Sequence, residues 1–248
     1  MLIIKTFLIL CCAVFTSSCN EEPQQMTYSE NQLIGKEHPQ LYGEGFKLQK
    51  EAYQAFIKMQ KAALKEGIKI KVASSFRSYD HQNRIWQSKY MRYTEQGLSP
   101  QQAIAKIIEY STIPGTSRHH WATDIDIVDG AVKAPSEDVL QAQFFEGGQV
   151  YNKLKKWLDK NANTYGFYLV YTKDPNRKGF KYEPWHYSYA PLSKPMLQAY
   201  LKLDIVTILQ KNKLIGSAYF TTEFINRYKT NNVLDINNYL KPTTHEKN

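Results

Sequence analysis

The first regular apolar pattern in the chain runs from Phe46 to Glu66. Apolar residues recur there at spacings of four, three and four, which places them on one face of an α-helix. Gly67 follows directly, and a glycine in this place typically ends a helix because it tolerates a left-handed backbone. The segment predicts an amphipathic helix whose buried face carries Ala52, Phe56, Met59 and Ala63.

Three further segments predict helices. Residues Tyr79–Gln96 are suited to a second helix. A third begins at Ser99, where a serine cap, Pro100 in the first turn and Gln102 three residues after the cap form a typical helix start. A fourth carries an apolar stripe at helical spacing, formed by Val150, Leu154, Trp157 and Leu158.

Shorter segments predict strands. Ile68–Val72 alternates apolar residues with lysines, as a half-buried strand does. Ile125–Val128 and Phe167–Tyr171 are further candidates, Tyr182–Tyr189 is extended and aromatic, and residues 129–149 form an irregular insert. Strands and helices interleave without a dinucleotide-binding glycine pattern, so we expect an α+β fold in which helices pack on a small sheet.

The start of the chain has a different character. Lys5 is followed by an apolar run from Phe7 to Phe15 and then by small residues. This run is shorter than the roughly 20 apolar residues that span a bilayer. Residues 1–19 therefore predict a secretory signal.

The end of this signal resembles the cleavage site of bacterial lipoproteins, with Cys19 as the lipidated residue. Thr16 departs from that pattern, which usually has leucine there. The alternative is an ordinary cleaved signal with an incidental cysteine. Lipidation of Cys19 would attach the protein to a membrane, and either signal implies an exported protein of the cell envelope, in the periplasm or at the outer surface.

We divide the rest of the chain into three parts. Residues 20–44 are polar and turn-rich, which predicts a tether. Residues 45–191 form the globular domain. Residues 192–248 form a helical C-terminal extension of unknown role, with a helix from Ser193 to about Gln210 and an Asn-rich end.

Composition limits the chemistry that the domain can use. All three cysteines lie at or before Cys19, so the 248-residue chain has no thiolate in its body, and any metal site must use His, Asp and Glu.

The net charge is +9, and removal of Lys5 with the signal leaves 9 − 1 = +8. A basic surface favours an anionic partner such as a cell wall or membrane. We expect no nucleic-acid partner, because no basic run or nucleic-acid motif is present.

Three segments carry residues suited to catalysis. In the first, His119 and Asp126 lie seven residues apart at the edge of a predicted strand, and imidazole and carboxylate are natural zinc ligands. In the second, Glu183 precedes His186 by three residues, and both reach one site only if the segment bends. In the third, Arg77 follows a strand and is suited to binding a carboxylate. Taken singly, each also fits an ordinary packing or salt-bridge role.

Together and in this order, the segments resemble the motifs of the zinc D-alanyl-D-alanine carboxypeptidases of the VanY-like group, which also includes L,D-carboxypeptidases, dipeptidases and some endolysins. The resemblance implies a hedgehog/DD-peptidase type of α+β fold with a small antiparallel sheet. It also implies that residues 45–191 are a zinc peptidase domain.

The same resemblance implies a role for each matching residue. Zn²⁺ would be held by three ligands, His119, Asp126 and His186, with a water in the fourth position. Glu183 would be the general base. Arg77 would either bind the free C-terminal carboxylate of the substrate or polarise the scissile carbonyl. The remaining substrate contacts would be Ser117 and Gln82.

Four positions depart from the family pattern. Ala122 stands where glycine is usual, so the turn must tolerate a Cβ atom. Arg118 replaces a glutamate, and His120 and Trp121 replace a Gln-Thr pair, which leaves the fine substrate preference open. His120 could rival His119 as a ligand, but adjacent side chains of an extended chain face opposite ways and the motif favours His119.

The function implied is removal of the C-terminal D-alanine from peptidoglycan stem peptides. An L,D-carboxypeptidase or a peptidoglycan endopeptidase would use the same chemistry. A non-catalytic cell-wall-binding module is the alternative of another class. Its signature would be loss of the base or of a ligand, and the sequence retains all four residues.

Overall fold

The computed structural model describes residues 28–242. These residues form eight α-helices and four strands. The helices are α1 Glu30–Leu33, α2 Lys50–Lys65, α3 Tyr79–Glu95, α4 Pro100–Ile107, α5 Asn152–Asn161, α6 Ala190–Tyr200, α7 Ile205–Lys211 and α8 Thr222–Tyr228. The strands are β1 Ile70–Ser74, β2 Asp124–Asp129, β3 Phe167–Leu169 and β4 His186–Tyr189.

The four strands form one antiparallel sheet in the order β1-β2-β4-β3. In the centre of the sheet, Asp126 of β2 lies opposite His186 of β4, and Asp124 lies opposite Ser188. Because strand side chains alternate between faces, all four project from the same face. The neighbouring Ile125 projects from the other face and is fully buried.

Helices pack on this sheet, and the α+β prediction is confirmed. One apolar cluster joins α2 and α5 to the sheet, and the predicted face of α2 is buried there at all four positions. The other cluster joins α3 and α4 to α6, α7 and α8. Ser99 and Gln102 form the predicted capping box at the start of α4.

The segment that precedes the domain differs from the predicted tether over its described part. Residues 28–44 contain α1, and Leu33 and Ile34 are almost fully buried. The indole Nε1 of Trp121 donates a 3.0 Å hydrogen bond to the carbonyl oxygen of Leu33. Two adjacent apolar side chains and a buried hydrogen bond attach this segment to the fold. The predicted signal and Cys19 lie outside the described residues, and within 28–242 no helix is long and apolar enough to cross a membrane.

Over residues 192–242 the C-terminal extension contains α7, α8 and most of α6, and its first helix ends earlier than expected. α6 stops at Tyr200 and α7 starts at Ile205, because Asp204 caps the second helix by accepting a hydrogen bond from the backbone N–H of Thr207. The extension is integrated into the domain. Trp86 of α3 donates a hydrogen bond to Ile215, and the Tyr200 hydroxyl donates one to the carbonyl oxygen of Gly115.

Candidate active site

The predicted metal ligands lie together on the polar face of the sheet. Asp126 and His186 come from paired strands, and His119 comes from the 3-10 turn Arg118–Trp121 just before β2. One donor atom from each residue lies within 4.8 Å of the other two. All three side chains are buried.

Hydrogen bonds hold the ring of His119 in one orientation. Its Nδ1 lies 2.8 Å from the carbonyl oxygen of Ser75, which only an N–H can satisfy. The other nitrogen, Nε2, then keeps its lone pair and lies 3.3 Å from Oδ2 of Asp126. The ring therefore presents Nε2 to the cluster.

The ring of His186 is held between carboxylates. Its Nδ1 lies 3.0 Å from Oε2 of Glu183 and 3.8 Å from Oδ1 of Asp126. On the other side of the ring, Nε2 lies 3.0 Å from Oδ2 of Asp124. Nδ1 is thus the nitrogen that faces the cluster, and Asp124 supports the ring from behind.

Asp124 belongs to a buried network that the motifs did not reveal. Arg118 donates from Nε to Oδ2 of Asp124 at 2.9 Å, and from Nη2 to the Ser188 hydroxyl at 2.6 Å. The Ser188 hydroxyl in turn donates to Oδ1 of Asp124 at 2.6 Å. Arg118 is one of the departures from the family pattern, and its buried charge is balanced by Asp124. The sequence did contain a signal for Asp124 and Ser188. Each stands two residues from a predicted ligand on the same strand, and therefore projects from the same face as that ligand.

The electrostatics of the cluster favour a cation. Burial alone would lower the pKa of His186, but Asp126, Asp124 and Glu183 outweigh it and raise that pKa to about 10. Burial also acts against ionisation of Asp126, yet His119 and then His186 lower its pKa to about 2. For Glu183 burial prevails over His186, and its pKa is raised. Three carboxylates thus surround one imidazole and stabilise positive charge among them.

The donor set fits a zinc ion. Two imidazoles and one carboxylate with room for a water are the composition of catalytic zinc sites. Oδ1 of Asp126 is buried and has no hydrogen-bond partner among the described residues. A buried carboxylate oxygen without a partner is costly, and a metal ion would satisfy it.

Arg77 and Gln82 form one unit beside the ligands. The guanidinium of Arg77 donates to Oε1 of Gln82 at 2.8 Å and to the Ser74 hydroxyl at 2.9 Å, and lies 3.9 Å from Oδ2 of Asp126. Gln82 is fully buried, and its Nε2 donates to the carbonyl oxygen of Thr112. The structure therefore places Gln82 behind Arg77, and its contact with a substrate stays a prediction. Both the oxygen and the nitrogen of its amide are hydrogen-bonded to protein groups.

The other predicted residues divide between the site and its surroundings. Ser117 lines the cleft and caps the 3-10 turn, since its hydroxyl accepts a hydrogen bond from the backbone N–H of His119. His120 points away from the cluster. Its Nε2 accepts a hydrogen bond from the backbone N–H of Gly115, and its Nδ1 lies 2.6 Å from the carbonyl oxygen of Arg77.

A cleft of about 710 Å³ opens over the cluster. Part of its lining is a face of α3, and another part is the insert between β2 and α5, which the sequence left without a role. Several cleft residues have no counterpart in the motifs, because they lie far apart in the chain and only the fold brings them together. They include Ile85, Lys89, Arg92, Tyr93, Asp138, Leu140, Tyr171 and Phe180.

The family model for VanY, D-alanyl-D-alanine carboxypeptidase, matches residues 45–192. The chain belongs to the VanY family. The match covers the sheet, the ligand cluster and Glu183, and it ends just after β4. The resemblance predicted from the three motifs is confirmed.

Two VanY relatives are enterococcal proteins described as D-alanyl-D-alanine carboxypeptidases. The one from Enterococcus faecalis is 31% identical over 129 residues, which is 52% of this chain and 42% of that protein. The one from Enterococcus faecium is 29% identical over 147 residues, 58% of this chain and 38% of that protein. The chain thus spans less than half the length of each.

Solved VanY structures share the fold. VanYB in complex with D-alanine-D-alanine superposes with a TM-score of 0.52 at 24% identity, over 72% of this chain and 92% of that one. A mutant of a vancomycin-resistance D,D-pentapeptidase VanY in complex with Zn(II) gives a TM-score of 0.50 at 24% identity, over 66% and 84%. At this identity the likeness establishes the architecture.

Proposed function

We propose that this chain is a zinc-dependent carboxypeptidase that removes the C-terminal D-alanine from peptidoglycan stem peptides. The observation that carries the proposal is the convergence of His119, Asp126 and His186 beside Glu183 in the open cleft of a VanY-family domain. The relatives described as D-alanyl-D-alanine carboxypeptidases support the substrate class.

Zinc would be held by Nε2 of His119, Nδ1 of His186 and the carboxylate of Asp126. A zinc ion bound there supplies Lewis acidity, which makes water a nucleophile near neutral pH and polarises a carbonyl. The residues behind the ligands fix their orientation: Ser75 holds His119, and Asp124 holds His186.

Glu183 is the residue placed to move the proton. Its Oε2 lies 3.0 Å from the cluster-facing nitrogen of His186, and its side chain lines the cleft. From there it accepts the proton of the attacking water and then donates it to the leaving amine. Both transfers occur inside a buried pocket, where the carboxylate is poorly hydrated and its basicity is increased.

Arg77 is placed to stabilise developing negative charge. Its guanidinium lies 3.9 Å from Asp126, and Gln82 and Ser74 hold it rigidly. A fixed cation next to the ligand cluster suits the oxyanion of the tetrahedral intermediate, because preorganised charge needs no rearrangement during the reaction. This geometry favours carbonyl polarisation over binding of a remote carboxylate.

The same site would serve an L,D-carboxypeptidase or an endopeptidase, and only the substrate distinguishes them. A non-catalytic wall-binding module is disfavoured because the base and all three ligands are present and converge.

We further propose that the protein is exported and attached to the cell envelope through Cys19. The N-terminal sequence pattern supports this proposal. Labelling of growing cells with a fatty-acid probe tests it. The wild-type chain should be labelled, and the Cys19→Ser variant should not. Label on both proteins, or on neither, would contradict lipidation at this residue.

Product analysis by mass spectrometry tests the activity. Protein lacking residues 1–19 is incubated with zinc and with muropeptides that end in D-Ala-D-Ala or in a single D-Ala, beside a Glu183→Gln control. Loss of one alanine from the pentapeptide, abolished in the control, is the expected result. Loss from the tetrapeptide alone would move the assignment to L,D-cleavage. Zinc-loaded protein that yields neither product would contradict the carboxypeptidase.

A further inference from the structure

The wall of the cleft formed by α3 is basic. Lys89 and Arg92 lie three residues apart on this helix, and both line the cleft that holds the metal ligands. Ile85 and Tyr93 line the same wall. Spacings of four, three and one place these four residues on one side of the helix. A peptide bound at the cluster would therefore pass beside two cations that belong to no family motif.

The cations nearest the ligands already have acceptors. Arg77 donates to Gln82 and Ser74, and Arg118 donates to Asp124 and Ser188. These guanidinium groups are held by the protein itself.

Lys89 and Arg92 differ from them. The Lys89 ammonium makes no hydrogen bond or ion pair within residues 28–242. The Arg92 guanidinium lies over the ring of Tyr93, 5.0 Å from its centroid, and pairs with no carboxylate of the described chain. Both donors are free for a ligand.

Lys89 is also partly withdrawn from water. Burial lowers the pKa of its ammonium, and the charges of Arg92 and Arg77 lower it further, while Glu183 and Asp138 act in the opposite direction. Arg77 and Glu183 line the same cleft as Lys89 and lie within electrostatic range of its ammonium. Partly buried cations are normally paired, because desolvation without a partner is costly.

The insert between β2 and α5, which also lines the cleft, offers little to pair with them. It contributes Leu140, Gln141, Ala142 and Gln143, which carry no charge. The carboxylate that it adds to the lining, Asp138, accepts a hydrogen bond from the backbone N–H of Leu140. The cleft therefore has an excess of positive charge on the α3 side.

We propose that Lys89 and Arg92 form a second anion subsite, which binds a carboxylate of the peptide substrate while Arg77 acts beside the metal ligands. The inference rests on the proposed function and defines its substrate class as anionic peptides. A stem peptide can supply this carboxylate from two sources. One is the free C-terminus of the leaving residue, and the other is a side-chain or α-carboxylate on the acyl side of the scissile bond.

Steady-state kinetics of the zinc-loaded protein test the subsite with the Lys89→Ala and Arg92→Ala variants. Each should raise KM for the anionic pentapeptide about tenfold and leave kcat within about twofold, because the lost contact binds the substrate and the transition state alike. The matched controls are Lys58→Ala on the exposed side of α2 and Arg84→Ala on α3 outside the cleft, and both should behave as wild type.

Calorimetric titration in the Glu183→Gln background separates this inference from the proposed function, because it measures peptide binding without turnover. Three peptides are compared: the acid, its C-terminal amide and a form amidated on the acyl side. If Lys89→Ala weakens binding of the acid but not of the C-terminal amide, the terminal carboxylate is the ligand. If it weakens binding of the acid but not of the acyl-side amide, the acyl-side carboxylate is the ligand. If Lys89→Ala weakens binding of all three peptides equally, or of none, the subsite is overturned even if the enzyme cleaves D-Ala-D-Ala.

Discussion

Oδ2 of Asp124 lies 3.0 Å from Nε2 of His186, on the side of the ring opposite Glu183 and Asp126. This contact fixes the ring so that Nδ1 faces the cluster. A carboxylate behind a metal-binding histidine also makes the imidazole a better ligand, and loss of such a partner typically weakens metal binding about 10- to 100-fold.

We therefore expect Asp124→Asn to reduce zinc affinity by about that factor. The protein should also lose stability, because Arg118 would keep a buried charge without its carboxylate. Competition with a chelating dye measures the affinity. Asp129→Asn is the matched control, since Asp129 is a buried aspartate on the same strand that binds backbone N–H groups away from the cluster. Equal losses of zinc affinity in Asp124→Asn and Asp129→Asn would show that Asp124 acts only through the general stability of the fold.

Removal of the metal should destabilise the protein. A ligand present at about 100 times its Kd stabilises the folded state by about 2.7 kcal/mol. For a chain of this size we expect chelation to lower Tm by roughly 5–10 °C.

Zinc should restore the Tm, and magnesium should not, because magnesium prefers oxygen ligands. Differential scanning calorimetry checks both points. The Asp126→Asn variant lacks a ligand and should respond to neither chelator nor zinc. A zinc-dependent shift of wild-type size in this variant would place the metal elsewhere.

The C-terminal extension should support catalysis. Asp235 lies outside the matched domain, and its Oδ2 accepts hydrogen bonds from the backbone N–H groups of Lys178 and Gly179 at 2.6 and 3.0 Å. These residues lead directly to Glu183. A Cβ atom at Gly179 would collide with the carbonyl oxygen of Asn231, so the extension packs tightly on this loop.

Asp235→Ala should therefore lower kcat and cost about 1–3 kcal/mol of stability, because two backbone donors lose their acceptor. Gly179→Ala should have a similar effect through the collision. Glu223→Ala is the control, since its ion pair with Arg227 is exposed and contributes little. Full activity of Asp235→Ala and Gly179→Ala, assayed below their Tm, would show that the extension does not position Glu183.

Ala122 should be sensitive to the shape of its replacement. Its backbone is left-handed, with φ 54° and ψ 33°, and its side chain is fully buried. The resemblance described from the sequence implies glycine here, a residue that adopts a left-handed backbone without strain. A β-branched residue strongly disfavours such a backbone.

We expect Ala122→Val to destabilise the protein by about 2 kcal/mol or more, through backbone strain and overpacking. Ala122→Gly should change stability by less than about 1 kcal/mol, because relief of strain is offset by the lost buried methyl group and the more flexible unfolded chain. Denaturant titration of the three proteins distinguishes these outcomes. A valine variant as stable as wild type would contradict the strain at this turn.

Local patterns predicted the elements that depend on local physics. The buried face of α2 and the capping box of α4 follow from spacings of three and four residues, and both are confirmed. The predicted end of the helix that begins the extension was wrong. The side chain of Asp204 caps a new helix there and interrupts an apolar run that looks continuous. The motif residues could be named as ligands only through their resemblance to a family.

The sequence by itself determined the class of the fold, the α2 face and the three segments that carry the chemistry, since each depends on residues close together in the chain. Tertiary structure alone decided how those segments meet. The pairing of β2 with β4 sets Asp126 opposite His186 and Asp124 opposite Ser188, and the docking of α3 brings Lys89 into the same cleft. The paired strand residues are about 60 positions apart. The energies of these contacts come from burial and strand register, which no local spacing encodes.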